Sequence, residues 1–209
     1  MSELRIARLA ERCRTLGPGV RAVIWVQGCL LRCPGCVAPE THALDGGTAV
    51  PVATLVQRLA ALPDIDGLTI SGGEPLLQAE ALNELIDGLR RHRDLSVMVY
   101  TGYTFEHLQQ HGTAAQRALL ARCDILVDGP FLRSAPTTRR WRGSENQRVL
   151  LLSERHRDLA ASLDEPLCEI DVRVDADGTL MWMGIPTPEL RERVEAGLSK
   201  RGVRWKVTG

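Results

Sequence analysis

Three cysteines within eight residues constrain this chain more than any other feature of its sequence. Cys29, Cys33 and Cys36 follow the spacing C-x3-C-x2-C, directly after an apolar run at 23–26 that predicts a strand. Three neighbouring cysteines leave a tetrahedral zinc site one ligand short, whereas a cubane of four irons can be held by three cysteines with one iron open. An open coordination position is where a small molecule binds and reacts. The spacing therefore favours a [4Fe-4S] cluster with these three cysteines as its metal ligands.

Glycine and proline residues shape the segment 28–36, which we call the cluster loop. Gly28 permits a sharp turn out of the strand, and Pro34 with Gly35 produces a second turn, so that the three sulfurs meet around one point. Two alternatives remain open, a zinc loop and reduced thiols buried without a metal. Zinc would need a remote fourth ligand, either a histidine or one of the cysteines at positions 13, 123 and 168.

Composition is typical of a globular protein with one domain. The 209 residues are 44% hydrophobic, and 26 basic residues balance 26 acidic ones. A neutral chain creates no overall field that attracts nucleic acid or an anionic membrane. The first residues, at 1–5, show no apolar h-region, and no apolar run approaches the roughly 18 residues that span a bilayer. Six cysteines at these spacings form no disulfide framework. The sequence therefore predicts a cytoplasmic protein in a reducing compartment, with neither nucleic acid nor a membrane among its partners.

Strands and helices alternate through most of the chain. Residues 4–13 are compatible with either a strand or a helix. Apolar, β-favouring runs predict strands at 21–27, 67–70, 95–100, 125–127 and 149–152. Apolar residues at helical spacing predict helices at 52–62 and 79–92. Thr104 is placed to cap a further helix, with Glu106 close to the capping-box position. This alternation is typical of βα barrels, whose active sites lie in the loops after the strands. Because the length allows only five or six βα units, we expect an α/β fold with a partial, open βα barrel.

A C-terminal α+β extension at 153–209 is expected beyond a core domain at 1–152. A turn signal at 175–178 lies between two alternating apolar runs and predicts a hairpin. The predicted elements are a strand at 169–174, a strand at 179–183, a helix at 187–201 and a strand at 203–207. We expect the extension to pack on the same domain. There it would either cover the open edge of the barrel or contact a partner, and the sequence leaves both open.

Several segments together resemble one known family. The cluster loop, with W-V-Q-G at 25–28 before it and P-E-T at 39–41 after it, is similar to that of radical S-adenosylmethionine (SAM) enzymes. It most resembles the activating enzymes of anaerobic ribonucleotide reductase. Further segments resemble the same activases: S-G-G-E-P at 71–75, V-Y-T-G-Y-T-F at 99–105, V-D-G-P-F at 127–131 and R-G-S-E-N-Q-R at 142–148. The resemblance covers residues 17–150.

The resemblance implies a radical SAM oxidoreductase, with Cys29, Cys33 and Cys36 as catalytic residues that hold a [4Fe-4S] cluster. In that family the cluster cleaves SAM reductively to a 5′-deoxyadenosyl radical, which takes a hydrogen atom from a glycine of a partner glycyl radical enzyme. Anaerobic ribonucleotide reductase is the implied partner, and flavodoxin or ferredoxin is the implied type of reductant. The implied fold is the partial βα barrel of radical SAM enzymes.

The implied cofactor-binding residues begin directly after the strand at 67–70. Gly72 and Gly73 let the backbone approach a ligand closely, while Glu74 supplies a carboxylate beside it. With Pro75 these residues resemble the family segment that hydrogen-bonds the amino group of SAM. A tight turn from strand to helix, with an exposed glutamate, is the alternative.

Weaker candidates follow the next two strands of the parallel series. Thr101, followed by Gly102, either bonds ligand oxygens or caps the next helix, and the sequence leaves both open. Asp128 resembles a family position near the active site that takes part in binding SAM or a monovalent cation, with a simple Asp-Gly turn as the alternative. Ala38 stands where the family usually has an asparagine, so one polar contact of the family is missing here.

Two other functions stay open on the sequence alone. One is radical SAM modification of a peptide or a small metabolite, with the extension as a recognition element. The other, from a different class, is a non-catalytic module that binds zinc or an iron–sulfur cluster. Metal analysis and a requirement for a large protein partner distinguish the three hypotheses.

Overall fold

A seven-stranded mixed sheet lies at the centre of the computed structural model, which describes residues 2–167, 169–174 and 180–202. The order across the sheet is β3-β1-β2-β4-β5-β6-β7, and in the described chain the two outer strands each pair with one neighbour. The strands are β1 (Glu3–Cys13), β2 (Arg21–Val26), β3 (Thr48–Pro51), β4 (Gly67–Gly72), β5 (Ser96–Tyr100), β6 (Ile125–Asp128) and β7 (Arg148–Leu151). The sheet is therefore open in the part of the chain that the structure describes.

Four parallel strands form the middle of the sheet. β2 pairs with β4, β4 with β5 and β5 with β6, all in parallel. The connecting helices are α1 (Val52–Ala60), α2 (Ala79–Arg90), α3 (Phe105–His111) and α4 (Ala114–Leu120). The predicted strands and the two predicted helices are confirmed, with ends that differ by up to two residues. The carboxyl ends of parallel strands meet at one edge of a sheet, so the loops after β2, β4, β5 and β6 lie together.

Antiparallel strands complete the sheet on both sides. β1 pairs with β2 and β3, and β7 pairs with β6, in each case antiparallel. Residues 4–13 are thus a strand, although shifts of register interrupt its pairing with β2. The described sheet contains four parallel strands, fewer than the five or six βα units that the length allows.

The main hydrophobic core lies between the sheet and the helices. Side chains alternate along β2, so Ala22, Ile24 and Val26 pack into this core with residues of α1, α2 and α4. The apolar stripe of α2 contributes Leu82, Leu85, Ile86 and Leu89. These are the positions whose helical spacing predicted the helix.

The other face of the sheet buries an arginine and two smaller apolar clusters. Arg21 is fully buried, and its guanidinium donates to the hydroxyls of Thr69 and Ser96 and to three backbone carbonyls. Burial lowers the pKa of Arg21 to about 10, although Asp124 partly opposes that shift. Its hydrogen bonds offset the cost of burying the charge.

Side chains that follow β7 in the chain pack on this second face, among them Leu159 and Met183. The described elements after β7 are a 3-10 helix (Glu154–Ser162), β8 (Ile170–Val174), β9 (Leu180–Gly184) and α5 (Pro188–Lys200). β8 and β9 pair antiparallel, which confirms the predicted hairpin strands. The predicted turn at 175–178 and the predicted strand at 203–207 lie outside the described residues. Met183 is buried in a cluster with Val23 and Trp25 of β2. Among the described residues, no helix is both long and apolar enough to cross a membrane.

Candidate radical SAM site

The cluster loop begins where β2 ends, at the carboxyl edge of the parallel strands. Gly28 has φ +98°, a conformation that L side chains rarely adopt. Its amide donates to the carbonyl of Thr41 at 2.8 Å, and the amide of Cys29 donates to that of His42 at 3.2 Å. The short helix Pro39–His42 therefore closes the loop at its base.

All three cysteines of the loop are free thiols. Cys29 is buried, whereas Cys33 and Cys36 are half-buried. The amide of Cys36 donates to the carbonyl of Cys33 at 3.1 Å, and the amide of Ala38 donates to the Cys36 sulfur at 3.5 Å. Burial raises the pKa of the Cys36 thiol, and the negative charges of Cys33, Cys29 and Glu40 add to that shift. The donor set fits an iron–sulfur cluster, since it offers three thiols from one turn and an N–H···S hydrogen bond.

The other cysteines that the structure describes lie elsewhere. Cys13 is buried in the cluster with Met183, and Cys123 is buried in the main core, where its thiol donates to the carbonyl of Leu119. Burial also raises the pKa of Cys123. Over residues 2–167, 169–174 and 180–202, no three histidine, cysteine or carboxylate side chains are placed to bind one metal ion. A four-iron cluster makes a different demand, because each cysteine binds a different iron. Cys168 lies outside the described residues.

The loop after β4 lies directly against the cluster loop. The amide of Gly73 donates to the carbonyl of Val26, and the amide of Glu74 donates to that of Gly28, both at 2.8 Å. A β-carbon on Gly73 would lie 2.2 Å from the Gly28 oxygen. Gly72 has φ +100° and equally little room. Gly72 is thus needed for close contact with the backbone of β2, and Gly73 for close contact with the cluster loop.

Glu74 joins the loop after β4 to the loop after β5. Its carboxylate is almost fully buried and accepts hydrogen bonds from the amides of Leu76 and Gly102 and from the hydroxyl of Thr101, at 2.9–3.0 Å. Burial raises the pKa of Glu74 to about 7, and these hydrogen bonds limit the rise. Pro75 is buried and begins the short helix Pro75–Gln78. The sequence placed the Glu74 carboxylate beside a ligand, whereas its contacts here are with the protein. Direct contact between Glu74 and SAM stays a prediction.

Thr101 and Gly102 complete this arrangement. The Thr101 hydroxyl donates to Glu74 and accepts from the amide of Tyr103 at 3.2 Å. A β-carbon on Gly102 would lie 2.3 Å from the side chain of Leu31 in the cluster loop. Thr104, rather than Thr101, caps α3 by accepting from the amide of His107. The predicted cap at Thr104 is therefore confirmed, and the predicted bond from Thr101 to a ligand stays a prediction.

Asp128 and Glu106 both bind one arginine. The buried carboxylate of Asp128 accepts from the amide of Phe105 at 2.7 Å and from the guanidinium of Arg148. The same guanidinium binds Glu106 at 2.7 Å, and this hydrogen bonding lowers the pKa of Glu106 to about 2. Glu106 is thus engaged by Arg148, and a capping box occurs instead in α4, between Thr113 and Gln116. The contacts of Asp128 position α3 against β7, and its predicted part in binding SAM or a cation stays a prediction.

The segment 142–148, which we call the clamp, binds the loop after β6. Gln147 donates to the carbonyl of Gly129 at 3.0 Å, and Asn146 donates to that of Pro130 at 2.7 Å. The buried hydroxyl of Ser144 accepts from the amide of Leu132 at 3.1 Å. The sequence does not predict these contacts, because the partners are backbone groups that no residue type reveals.

Known proteins match the part of the chain that contains these loops. The family model described as "4Fe-4S single cluster domain" matches residues 15–150, which is more than half of the chain. The anaerobic ribonucleoside-triphosphate reductase-activating protein of Enterobacteria phage T4 is 33% identical over 138 residues, covering 64% of this chain and 85% of the relative. The protein of the same name from Escherichia coli K12 is 32% identical over 142 residues, covering 64% of this chain and 89% of the relative.

A second type of activase matches a shorter part of the chain. The pyruvate formate-lyase-activating enzyme of Clostridium pasteurianum is 33% identical over 99 residues, covering 45% of this chain and 42% of the relative. The family model spans the loops that meet at the carboxyl edge of the parallel strands. The chain therefore belongs to the radical SAM family of activating enzymes that includes the anaerobic ribonucleoside-triphosphate reductase-activating proteins.

Proposed function

We propose that this protein is a radical SAM activase that generates a glycyl radical in a partner enzyme. The best-supported partner is an anaerobic ribonucleoside-triphosphate reductase, the enzyme that its relatives are named for activating. The observation that carries the proposal is the direct contact among three loops. The loop after β4 bonds Gly28 through the Glu74 amide, and the loop after β5 bonds the Glu74 carboxylate and packs on Leu31. The segments to which the proposal assigns metal and cofactor binding are thus in contact, which supports a single site.

Cys29, Cys33 and Cys36 would hold the [4Fe-4S] cluster in this proposal. When bound, the cluster and SAM would supply the one-electron reductive chemistry by which a hydrogen atom is removed from a glycine of the partner, with methionine and 5′-deoxyadenosine as products. Cys29 is the most buried of the three cysteines, and the amide of Ala38 hydrogen-bonds the sulfur of Cys36. Such hydrogen bonds to ligand sulfurs tune an iron–sulfur site.

The chain's own contribution to SAM binding is orientation. Gly72 and Gly73 let the loop after β4 lie directly against β2 and the cluster loop, where a β-carbon would clash with the backbone. Thr101 and Gly102 are fixed there by the buried Glu74 carboxylate. A site fixed in this way loses little conformational freedom when the ligand binds.

Exposed apolar side chains around the cluster loop favour a protein as substrate. Leu30 and Val37 belong to the loop or follow it directly, and they are 59% and 55% exposed. Leu44, also 55% exposed, is close to Gly28, and Leu132 is 42% exposed in the loop after β6. These are four of the five large hydrophobic side chains that are exposed in the described residues. Exposed apolar groups that gather at one place mark protein–protein contact sites. This observation favours a macromolecular partner over a small metabolite.

Three finer statements belong to the same proposal. The mainly parallel sheet would curve into the partial βα barrel of radical SAM enzymes, with residues 1–152 as its core domain. Residues 153–209 would be an extension packed on that domain, which the contacts of Met183 support. A cytoplasmic location with flavodoxin or ferredoxin as reductant suits the five free thiols of the described chain, because thiols stay reduced there.

Product analysis tests the chemistry. After anaerobic reconstitution the protein should contain about four irons per chain, and with a reductant it should convert SAM to 5′-deoxyadenosine. Cys33→Ala should lose at least about 100-fold in this activity, because one iron loses its ligand. Cys123→Ser is the matched control, since its hydroxyl can still donate to Leu119, and it should retain activity. Bound zinc, or full activity of Cys33→Ala, would contradict the proposal.

A further inference from the structure

Arg133, in the loop after β6, lies against the cluster loop. A β-carbon on Gly35, between Cys33 and Cys36, would lie 2.7 Å from Cδ of Arg133 and 3.3 Å from its Cβ. The aliphatic part of Arg133 therefore lies on the turn that carries two of the three cluster ligands. The arginine as a whole is exposed and forms no ion pair within the described residues. Its positive charge is thus available to the cluster site.

The clamp fixes the backbone on both sides of Arg133. Leu132 donates its amide to the Ser144 hydroxyl, and its carbonyl accepts from the amide of Ala135 at 3.0 Å. The carbonyl of Ala135 in turn accepts from the amide of Glu145 at 2.8 Å. Arg133 therefore lies in a turn that the clamp holds at both ends, and its position over Gly35 is built into the fold.

We propose that Arg133 is a positioning residue of the cluster site, held over the turn at Gly35 by the clamp so that its positive charge stabilises the reduced cluster. This inference rests on the proposed function. A [4Fe-4S] cluster with three thiolate ligands is anionic and gains a further negative charge on reduction, and nearby charge is one of the determinants of its potential. The cluster loop contains Arg32, and Glu40 is close enough to affect Cys36, so charges of both signs are present there. Arg133 adds a positive charge from outside the loop.

Redox titration followed by electron paramagnetic resonance tests the inference on the reconstituted full chain. In Arg133→Gln, the equilibrium constant for reduction of the cluster should fall about threefold. A tenfold change corresponds to about 59 mV for one electron, so the reduction potential should become more negative by ~28 mV. Arg133→Lys keeps the charge and should shift less. Arg139→Gln is the matched control, because Arg139 is a nearby exposed arginine whose guanidinium pairs with Glu145 and Asp164. It should leave the potential close to that of the unmodified protein.

The clamp is tested by Ser144→Ala, which removes the acceptor for the Leu132 amide. It should shift the potential in the same direction as Arg133→Gln, and it should add no further shift when combined with that substitution. Equal potentials in Arg133→Gln and the unmodified protein would overturn the inference, as would an equal shift in Arg139→Gln. Additive shifts in the double variant would overturn the part assigned to the clamp. If the unmodified protein binds a cluster and cleaves SAM but Arg133→Gln has no effect, only this inference fails. If no cluster assembles, the proposed function fails as well.

Discussion

Gly73 lies where the loop after β4 touches the cluster loop, and replacing it with alanine tests the packing of the site. A β-carbon there would lie 2.2 Å from the oxygen of Gly28 and 3.0 Å from that of Thr41, and both are backbone atoms. A normal carbon–oxygen contact is about 3.3 Å, so the two loops must separate by roughly 1 Å. The hydrogen bond from Glu74 to Gly28, now 2.8 Å, would then be broken.

Three effects determine the expected change in the free energy of unfolding, two that lower it and one that raises it. Overpacking costs about 1–3 kcal/mol and the lost hydrogen bond about 1 kcal/mol, while the reduced freedom of the unfolded chain returns about 0.4–1 kcal/mol. We expect Gly73→Ala to lose about 2–3 kcal/mol in free energy of unfolding, measured by urea titration of the metal-free protein. The reconstituted variant should also bind less iron, because the cluster loop is displaced.

Two further glycines provide matched controls. In Gly102→Ala the clash is with Leu31, a side chain that can rotate, so the loss should stay below about 1 kcal/mol. In Gly197→Ala the nearest atom is 3.9 Å away, and helix α5 should gain about 0.5–1 kcal/mol. A free energy of unfolding for Gly73→Ala within about 0.5 kcal/mol of the unmodified protein, with full iron content, would refute this reasoning.

Two other predictions concern charge at the site and the packing of the extension. Because the pKa of Glu74 rises from 4.5 to about 7 on folding, the folded protein binds the proton more tightly, and stability falls as pH rises through this range. Relative to Glu74→Gln, the free energy of unfolding should therefore decrease by about 2–3 kcal/mol between about pH 5 and pH 8. Met183→Asp should lose about 3 kcal/mol or more and expose the hairpin to proteolysis, because Met183 is buried against Trp25.

Each of these predictions has its own control. For Glu74, the quantity compared is the difference in free energy of unfolding between Glu74→Gln and the unmodified protein. If this difference does not change with pH, the carboxylate is ionised throughout the pH range tested and the prediction is wrong. For Met183, the control is Val172→Asp in the same hairpin, where the side chain is 45% exposed and the change should be within about 0.5 kcal/mol. Equal losses in the two aspartate variants would mean that Met183 does not hold the extension on the sheet.

The pattern of apolar residues predicted the strands and helices in which that pattern is uninterrupted. The run at 23–26 is buried on both faces of the sheet, and the apolar residues of α2 form one buried stripe, so an unbroken apolar run and helical spacing were sufficient. β1 was ambiguous because interruptions of register break its alternation. The cluster loop was evident because its ligands are side chains close together in sequence.

Contacts between distant backbone groups and side chains could not be predicted. The carboxylate of Glu74 binds two amides and a hydroxyl, and Asp128 binds an arginine 20 residues further along the chain. The contact of Arg133 with Gly35 joins residues that are far apart in sequence. No residue type signals that a backbone amide is the partner, so the sequence indicated candidate residues without showing what they touch.

Transfer of the radical to a partner is the most direct test of the proposed function. The reconstituted protein, SAM and reduced flavodoxin would be incubated anaerobically with the anaerobic ribonucleotide reductase of the source organism, and the electron paramagnetic resonance spectrum recorded. We predict a glycyl radical signal on the reductase that requires both SAM and the activase, and that disappears with Cys33→Ala. Formation of 5′-deoxyadenosine without any radical on the reductase would contradict the proposal and point instead to a peptide or a small metabolite as substrate.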